Sequence, residues 1–318
     1  MLRSLNSGVS GMQQFQERLN VIGNNVANVN TTGFKSARVD FAEAFSQQLG
    51  SGANGSPMQV GTGVGTSAIT NQFLQGGITR TGTATDLAVT GNGFFAVRDS
   101  ISNVQYATRD GAFHLDDNGY LVTNGGMRVQ GYVDPGLTTR GDIQIDMATV
   151  KQDRITAATA TVTAAEQALA AVDPGDTAAV AVATQNLATA NASLAAAQSL
   201  SITAFNVNTE GKVNLRLNDG TEFVRAQVLL QGFQNPQALA KEGNNLFSGF
   251  AAAGPLAQIE SPGTNGLGGI AAGALEMSNV DLANEFSSLI TTQRAFQASA
   301  RIITTSDDIL QELVNLKR

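Results

Sequence analysis

The sequence predicts an α+β protein in which a helix at each terminus contributes to a coiled-coil seam and the chain between them forms an antiparallel β body. Apolar residues recur every seven positions at both ends of the chain, which is the spacing of a coiled-coil seam. Short alternating segments separated by turn residues fill the middle, which is typical of hairpin-connected strands. An Ala- and Thr-rich stretch at 150–200 adds an inserted α-helical hairpin.

The composition excludes several classes of function. The 318-residue chain has a formal net charge of −7, which argues against nucleic acid as a partner. It has no Cys and one His, so we predict no disulfide, no metal site, no cofactor and no catalytic residues. No run approaches about 18 apolar residues, so no membrane span is expected. The N-terminus lacks the apolar region of a signal peptide, so an exported protein of this kind would need another route.

The N-terminal segment predicts one amphipathic helix over residues 2–29. Its apolar face is formed by residues that recur at helical spacing: Leu2, Leu5, Val9, Met12, Leu19, Ile22 and Val26. Three Gly residues weaken this helix by up to about 1 kcal/mol each. The helix ends in an Asn- and Gly-rich sequence, which suits a helix C-cap followed by turns.

From about residue 58 the pattern predicts short strands. The first half contributes Val64–Phe73, Asp86–Val89, Phe94–Arg98, Tyr106–Leu115, Tyr120–Thr123 and Arg128–Tyr132, and the second half contributes Ser201–Asn208, Lys212–Leu217 and Glu222–Gln231. Turn sequences such as Asp116-Asp117-Asn118-Gly119 separate them. Residues 36–49 are expected to be a short helix or irregular, with Val39, Phe41 and Phe45 as apolar contacts.

The stretch at 150–200 interrupts the strands with heptads. Ile155, Val162 and Leu169 form one row, and Val180, Leu187 and Leu194 form another. Between the rows, the sequence 173–176 predicts a turn at Pro174 and a helix cap at Asp176. The pattern favours a helical hairpin packed through Ala, and a disordered Ala-rich linker is the alternative.

The C-terminal segment from Asp281 to Lys317 predicts a helix of roughly 55 Å. One heptad row comprises Leu282, Leu289, Phe296, Ile303 and Leu310, and the second is expected at Phe286, Gln293, Ala300, Asp307 and Val314. The run Thr304–Asp308 is poor helix sequence. One narrow apolar stripe must be buried against a partner. The sequence leaves open a pair within one chain, although we expect such a pair to hide the stripe.

Three features resemble chemical sites but have simpler explanations. The sequence 91–95 is Gly-Asn-Gly-Phe-Phe, and a dinucleotide-binding loop would require a helix after it, whereas this sequence predicts a strand. His114 lies in an alternating strand with no Ser or Cys nucleophile nearby in sequence. The sequence 116–119 lacks the spaced oxygen ligands of a calcium loop, and a hairpin turn explains it.

Several long motifs together resemble the bacterial flagellar rod and hook protein family. They are SGVSGMQQFQERLNVIGNNVANVNTTGFK at 7–35, TDLAVTGNGFFAV at 85–97, VQGY at 129–132 and the segment 273–318. The motif residues of the first are Asn24, Asn25, Asn28, Asn30, Thr31, Gly33 and Phe34. The motifs cover both termini and much of the middle. Within the family, the sequence is most similar to hook subunits.

The resemblance implies a structural, polymer-forming protein of the flagellar hook, exported by the flagellar type III apparatus and located outside the cell. It implies partners among the other axial proteins, namely the distal rod, the hook cap and the hook–filament junction, and a homopolymer of the chain itself. The terminal seam would be the polymerisation seam, made of Leu5, Val9, Met12, Leu19, Ile22, Val26, Leu282, Phe286, Leu289, Phe296, Ile303, Leu310 and Val314. The inserted hairpin departs from the extra β domain that hook proteins generally carry here.

The predicted domains are a terminal helical domain (1–33 and 275–318), a discontinuous β body (34–149 and 201–274) and the inserted hairpin (150–200). A distal rod subunit, which has the same termini, is the alternative within the family. An enzyme on a β scaffold would require convergent titratable groups, and the sequence has scattered Asp and Glu. A non-flagellar surface protein with coiled-coil stalks is the remaining alternative.

Overall fold

A computed structural model describes residues 2–51, 57–145, 147–173, 177–255 and 259–316. The architecture is α+β with mostly antiparallel sheets. The chain divides into two compact units. The first unit comprises Met1–Thr79, Asn235–Leu239 and Glu276–Arg318, and the second comprises Arg80–Gln234 and Ala240–Leu275. Within the described residues, no helix has the length and apolar character needed to cross a membrane.

In chain order the helices are α1 (Leu2–Ala27), α2 (Met147–Ala170), α3 (Thr177–Gln198), α4 (Phe250–Ala253) and α5 (Leu282–Leu316), with a 3-10 turn at Pro236–Ala238. The strands before α2 are β1 (Ala37–Glu43), β2 (Ser46–Ser51), β3 (Pro57–Gly61), β4 (Val64–Asn71), β5 (Ile78–Arg80), β6 (Leu87–Thr90), β7 (Phe94–Arg98), β8 (Gln105–Thr108), β9 (Phe113–Leu115), β10 (Leu121–Thr123), β11 (Arg128–Tyr132) and β12 (Arg140–Asp142). The strands after α3 are β13 (Ile202–Val207), β14 (Lys212–Leu217), β15 (Glu222–Val228), β16 (Leu230–Gln231), β17 (Ala240–Gly243), β18 (Leu246–Ser248), β19 (Gly269–Ala272) and β20 (Ala274–Glu276).

The first unit combines the two long helices with two strand pairs, β1–β4 and β2–β3. Helix α1 matches the helix predicted over 2–29. Helix α5 stays continuous through Thr304–Asp308, as predicted, and its hydroxyls there bond to the helix itself. Thr305 Oγ1, for example, donates to the Arg301 carbonyl at 2.9 Å. Asp281 caps α5 by accepting a hydrogen bond from the Ala283 amide at 2.9 Å.

The expectation for residues 36–49 is wrong, because the structure has β1 and β2 there. Val39 and Phe41 are spaced for one face of a strand, and β1 pairs with β4 along its length. Val39 is buried, and the Phe41 ring packs edge-on against Phe15 of α1 with centroids 6.3 Å apart. Phe45 makes no such contribution, since it is 81% exposed.

The second unit contains a 12-stranded sheet that joins both halves of the chain. The main path runs β13-β14-β15-β11-β7-β8-β18-β17. The two halves of the chain pair at β11–β15, β8–β18 and β7–β16, and at the first of these Gly131 of β11 pairs with Val228 of β15. A Cβ at position 131 would lie 2.1 Å from the Gln227 carbonyl oxygen, so this contact requires Gly. The core lies on this sheet, where Phe95 and Phe113 pack edge-on with centroids 5.1 Å apart.

Each predicted strand overlaps an observed one, and three have the predicted bounds, namely β7, β11 and β14. Predicted strand 222–231 is divided into β15, which pairs with β14, and β16, which pairs with β7. Predicted strand 106–115 is likewise divided into β8 and β9. Gly111 lies between them, and a Cβ there would be 1.6 Å from the Leu87 carbonyl oxygen. The chain therefore turns at Gly111 rather than continuing as one strand. The turn at 116–119 is present, with the Gly119 amide donating to the Asp116 carbonyl at 2.9 Å.

Helices α2 and α3 follow each other between β12 and β13 and pack together. Their predicted heptad residues lie on the inner faces: Val162 is buried, and Ile155, Leu169, Val180, Leu187 and Leu194 are half-buried. Ala183 and Ala197 are buried as well. The predicted turn at Pro174 and cap at Asp176 lie outside the described residues.

The other features considered as chemical sites are parts of the sheet. Gly91 and Gly93 have φ of 110° and 124° and connect β6 to β7, so a strand follows this loop and the geometry of a dinucleotide-binding helix N-terminus is not formed. His114 is an exposed residue of β9.

Candidate assembly surface on the terminal helices

Helices α1 and α5 pack against each other in an antiparallel arrangement. Near the end of α1, the Asn25 side-chain amide donates to Glu285 Oε1 of α5 at 2.9 Å. Near the beginning of α1, a Cβ at Gly8 would lie 3.3 Å from the Ile303 side chain. Among the predicted residues of the apolar face of α1, Ile22 is buried and the others are half-buried: Leu5, Val9, Met12, Leu19 and Val26. The Leu2 side chain lies outside the described side chains.

One predicted row of α5 faces α1. Leu289, Phe296 and Ile303 are half-buried there, whereas Leu282, the first member of this row, is 39% exposed. Leu310, the last member, is also half-buried but lies beyond the first described residue of α1. The second row is a correction to the prediction. Of Phe286, Gln293, Ala300, Asp307 and Val314, only Ala300 is half-buried, and the other four are exposed.

The second buried row of α5 consists of hydroxyl residues on the other side of the first row. Thr292, Ser299 and Ser306 are 2%, 8% and 7% exposed and are spaced by seven residues. Two of these hydroxyls donate to carbonyls of α5 itself. Thr292 Oγ1 donates to the Ser288 carbonyl at 2.6 Å, and Ser306 Oγ donates to the Ile302 carbonyl at 2.7 Å. A small hydroxyl residue that is satisfied by its own helix can be buried without an external partner.

Close approach of the two backbones explains why small residues occupy this row. A Cβ at Gly11 would lie 3.4 Å from Ser299 Oγ, and one at Gly8 would lie 3.5 Å from the Ser299 carbonyl oxygen. A row of large apolar side chains would hold the helices further apart. The terminal seam within one chain is therefore half apolar and half small and polar.

The other side of α1 contacts the β1–β4 pair. Thr66 Oγ1 of β4 donates to Gln14 Oε1, and Phe15 packs on Phe41 of β1. At Gly63, next to β4, a Cβ would lie 2.3 Å from Ser10 Oγ. Two faces of α1 are thus occupied within the first unit, one by α5 and one by strands.

The family motif forms the connection between α1, β1 and α5. Asn25 is buried and makes three hydrogen bonds: its amide nitrogen donates to the Ala37 carbonyl and to Glu285, both at 2.9 Å, and its oxygen accepts from the Ala37 amide at 3.0 Å. Gly33 has φ of 67°, as a helix-terminating residue in the left-handed region does, and its amide donates to the Glu276 carbonyl at 2.8 Å. Phe34 is buried.

The remaining motif residues cap the end of α1. Asn28 Nδ2 donates to the Asn24 carbonyl at 2.9 Å, and Thr31 Oγ1 donates to Asn28 Oδ1 at 3.1 Å. Asn30 is exposed. The predicted helix C-cap is therefore formed by Asn24, Asn28 and Thr31. Asn25 has a different role, because its hydrogen bonds join α1 to β1 and α5.

Sequence reasoning missed a buried ion pair beside this motif. Lys35 Nζ lies 2.7 Å from Glu276 Oε1, and both side chains are fully buried. Lys35 Nζ also donates to the Leu74 carbonyl at 2.7 Å, and the Gly76 amide donates to Glu276 Oε1 at 2.9 Å. A Cβ at Gly76 would lie 2.0 Å from the Met277 carbonyl oxygen, so the loop approaches too closely for any other residue.

A second side chain next to Glu276 completes this network. Asn279 Nδ2 donates to the Gln72 carbonyl at 2.8 Å, and Asn279 Oδ1 accepts from the Ser36 amide at 2.8 Å. The usable sequence signal was that Glu276 is the one charged residue in 261–280, in an otherwise apolar and small-residue context. A charge in such a context is rarely buried unless it is paired.

Pairing within the chain leaves apolar side chains of α5 exposed. Among the described side chains of α5, seven large apolar ones are more than one-third exposed: Leu282, Phe286, Ile290, Ile302, Ile309, Val314 and Leu316. The pair therefore covers three residues of the first predicted row, Leu289, Phe296 and Ile303, but not the rest of the predicted apolar stripe. The α1–α5 contact covers one side of α5 and leaves other apolar residues accessible to further partners.

Models of flagellar protein families match three parts of the chain. Flagella basal body rod protein matches residues 5–35, Flagellar hook protein FlgE/F/G D1 domain matches 88–165, and Flagellar basal body rod FlgEFG protein C-terminal matches 271–316. The outer two matches include α1 with its motif and α5, and the middle match lies in the second unit.

Whole-length relatives carry both hook and rod names. The chain is 36% identical to Flagellar basal-body rod protein FlgG of Bacillus subtilis (strain 168) over 325 residues, covering all of both chains. It is 31% identical to Flagellar hook protein FlgE of Borreliella burgdorferi over 446 residues, again covering all of both. Flagellar hook protein FlgE of Salmonella typhimurium is 29% identical over 414 residues, covering 99% of this chain and 100% of that protein.

These relatives are structural proteins of the flagellum rather than enzymes. Their similarity extends over the whole chain and includes the terminal helices that pack together here. The chain belongs to the bacterial flagellar hook and basal body rod protein family.

Proposed function

We propose that the chain is a structural subunit that polymerises into the flagellar hook, the flexible joint that transmits motor torque to the filament. The observation that carries the polymer-forming part is the apolar surface left on α5 after it has paired with α1. Isolated apolar residues on a surface are ordinary, but a series along one helix marks an interaction site. Heterologous contacts that do not close generate a helical tube.

The predicted domains have distinct roles in this proposal. The terminal domain, 1–33 and 275–318, forms an inner tube through the seam of α1 and α5. The β body, 34–149 and 201–274, forms an outer layer. The α2–α3 hairpin, 150–200, projects from that layer. The subunit leaves the cell through the flagellar type III apparatus and contacts the distal rod, the hook cap and the hook–filament junction.

The inserted α2–α3 pair favours the hook over the rod, because it adds volume to the β body, which rod subunits usually leave undecorated. The distal rod is the second candidate. The Bacillus subtilis relative named as a rod protein favours it, because that alignment spans 325 residues, close to the 318 residues of this chain. The alignment with the Borreliella burgdorferi hook protein spans 446 residues, so the two chains differ more in length.

Immunogold electron microscopy of isolated flagella distinguishes the two positions. Antibodies raised against the α2–α3 segment should label the curved tube between the basal body rings and the filament. Labelling confined to the straight shaft inside the rings would identify a rod subunit instead. Flagella without label in either position, from cells that express the protein, would contradict both assignments.

A further inference from the structure

The end of α5 extends beyond α1. The contacts of Asn25 with Glu285 and of Gly8 with Ile303 define an antiparallel register. Each step toward Leu2 on α1 moves one step toward the C-terminus on α5, so α1 begins opposite Asp308 or Ile309. Residues 310–316 of α5 therefore have no described residue of α1 opposite them.

Four residues of this overhang are Leu or Val, namely Leu310, Leu313, Val314 and Leu316. Val314 and Leu316 are 67% and 82% exposed, Leu310 is half-buried, and Ile309, just before the overhang, is 48% exposed. The described part of α1 therefore leaves the apolar side chains of Val314 and Leu316 uncovered.

An apolar row of similar size lies at the opposite end of the same helix. Leu282, Phe286 and Ile290 are 39%, 50% and 52% exposed and lie four residues apart, so they form one stripe. Farther along that face the exposed residues are polar, as at Gln293 and Gln297. The row is therefore confined to the first turns of α5.

We propose that the C-terminal overhang of α5 in one copy of the chain packs on the Leu282–Phe286–Ile290 row of α5 in a second copy. The inference rests on the proposed polymer. Phe286 and Leu316 are separated by about 45 Å along one helix, so the two surfaces cannot meet within one chain. Because they are different surfaces at opposite ends, their contact is heterologous and continues from copy to copy without closing.

The absence of Cys from the sequence allows a direct test by cross-linking. The full-length double variant F286C/L316C is polymerised, the polymer is verified by electron microscopy, and it is then oxidised and run on a denaturing gel. Disulfides form when Cα atoms lie about 4.4–6.8 Å apart. We expect a ladder of dimers, trimers and longer species that disappears on reduction.

The matched control is Q297C/L316C. Gln297 is exposed and lies on the same face as Phe286, but it is about 16 Å farther along the helix. We expect at least about tenfold less cross-linked material from this control, given the short range of disulfide formation.

The other outcomes overturn the inference in different ways. Dimers without longer species would mean that two copies pair reciprocally, and the contact would be closed. Polymers that give no more cross-linking than the control would place the overhang elsewhere and leave the proposed function intact. If neither the wild-type chain nor the variant forms a polymer, the proposed function itself fails, and the inference with it.

Discussion

The two helix pairs in this chain differ in what they leave exposed. Helices α1 and α5 come from opposite ends of the chain, and their pairing leaves seven of the described large apolar side chains of α5 exposed. Helices α2 and α3 are consecutive, and their predicted heptad residues are buried or half-buried. Among their described side chains, Val182 is the one large apolar residue in the exposed class, at 61%.

The difference indicates which pair is complete by itself. Two helices that are consecutive in sequence can bury their apolar residues against each other, and α2 and α3 do so. The α1–α5 pair is fixed at one end by the Lys35–Glu276 ion pair and the hydrogen bonds of Asn25, yet its free surface remains apolar. In the proposed polymer the terminal pair makes contacts outside the chain, and variants in the two pairs should therefore have different consequences.

The substitution Phe296→Asp should have the largest effect, namely complete loss of polymer. Phe296 is half-buried between the helices, and losing a core Phe costs about 3–5 kcal/mol before the cost of a charge is added. Pelleting by ultracentrifugation and electron microscopy measure assembly, and circular dichroism should show that the β signal of the second unit persists.

The matched control is Val162→Asp, which places the same charge in the α2–α3 contact, where Val162 is buried. We expect it to separate α2 from α3 while tubes still form. Normal polymerisation by Phe296→Asp would show that the functional seam uses another face of α5.

Replacing Lys35 by Met should destabilise the first unit by about 3–5 kcal/mol, because it leaves Glu276 buried without its cation. The double variant K35M/E276L removes both charges and should recover part of that loss. Recovery is incomplete because the Gly76 amide loses its acceptor, which costs about 1–3 kcal/mol for an unsatisfied group. The Leu74 carbonyl keeps its hydrogen bond from Asn279 Nδ2. Urea unfolding, monitored by the helical circular-dichroism signal, measures the free energy of unfolding of both variants. A double variant as unstable as the single one would assign the effect to lost hydrogen bonds rather than to an unpaired charge.

Two glycines of α1 provide a matched pair of smaller changes. Gly8→Val adds a branched side chain whose Cβ would lie 3.3 Å from the Ile303 side chain, and such overpacking costs about 1–3 kcal/mol. Gly23→Ala meets no atom within 4 Å and should stabilise the helix by up to about 1 kcal/mol. The midpoint urea concentration of unfolding should fall for Gly8→Val and rise for Gly23→Ala. If Gly23→Ala destabilises the chain instead, the face of α1 that carries Gly23 must be in contact with another part of the protein.

Much of the fold was predictable from the sequence because its signals are local. The strands β7, β11 and β14 alternate between turns, and the helices α1 and α5 follow from the heptad spacing of their apolar residues. The errors occurred where distant contacts decide the structure. Strand β1 depends on β4, and the break between β8 and β9 depends on the approach of Gly111 to Leu87.

The assembly surface was predicted in part for a similar reason. Counting apolar residues located Leu289, Phe296 and Ile303 on the inner face of α5. It could not recognise Thr292 and Ser299 as buried, because their burial depends on glycines that lie nearly 300 residues away in the sequence. The Lys35–Glu276 pair joins residues 241 positions apart, and no spacing pattern encodes such a contact.

Replacing residues 147–198 by a short Gly-Ser linker should have the smallest effect, because α2 and α3 bury their apolar residues mainly against each other. The flanking residues stay: the Ile145 amide donates to the Gly119 carbonyl at 2.7 Å, and Asn218 Nδ2 donates to the Ser199 carbonyl at 3.0 Å. We expect an unchanged β circular-dichroism signal and a melting temperature lowered by a few degrees, since Leu200, which is buried next to α3, becomes exposed.

The same deletion separates the two helix pairs functionally, because the variant retains the whole terminal seam and should still form tubes in the electron microscope. A second variant, Val182→Asp, keeps the full chain and charges the one large exposed apolar residue of that pair; it should match the wild type in stability and assembly. Loss of the β signal on deletion would mean that α2 and α3 belong to the core of the second unit. Loss of tubes with the β signal intact, or failure of Val182→Asp to assemble, would mean that α2 and α3 also contact neighbouring copies. The α2–α3 pair would then depend on contacts outside the chain, as the α1–α5 pair does.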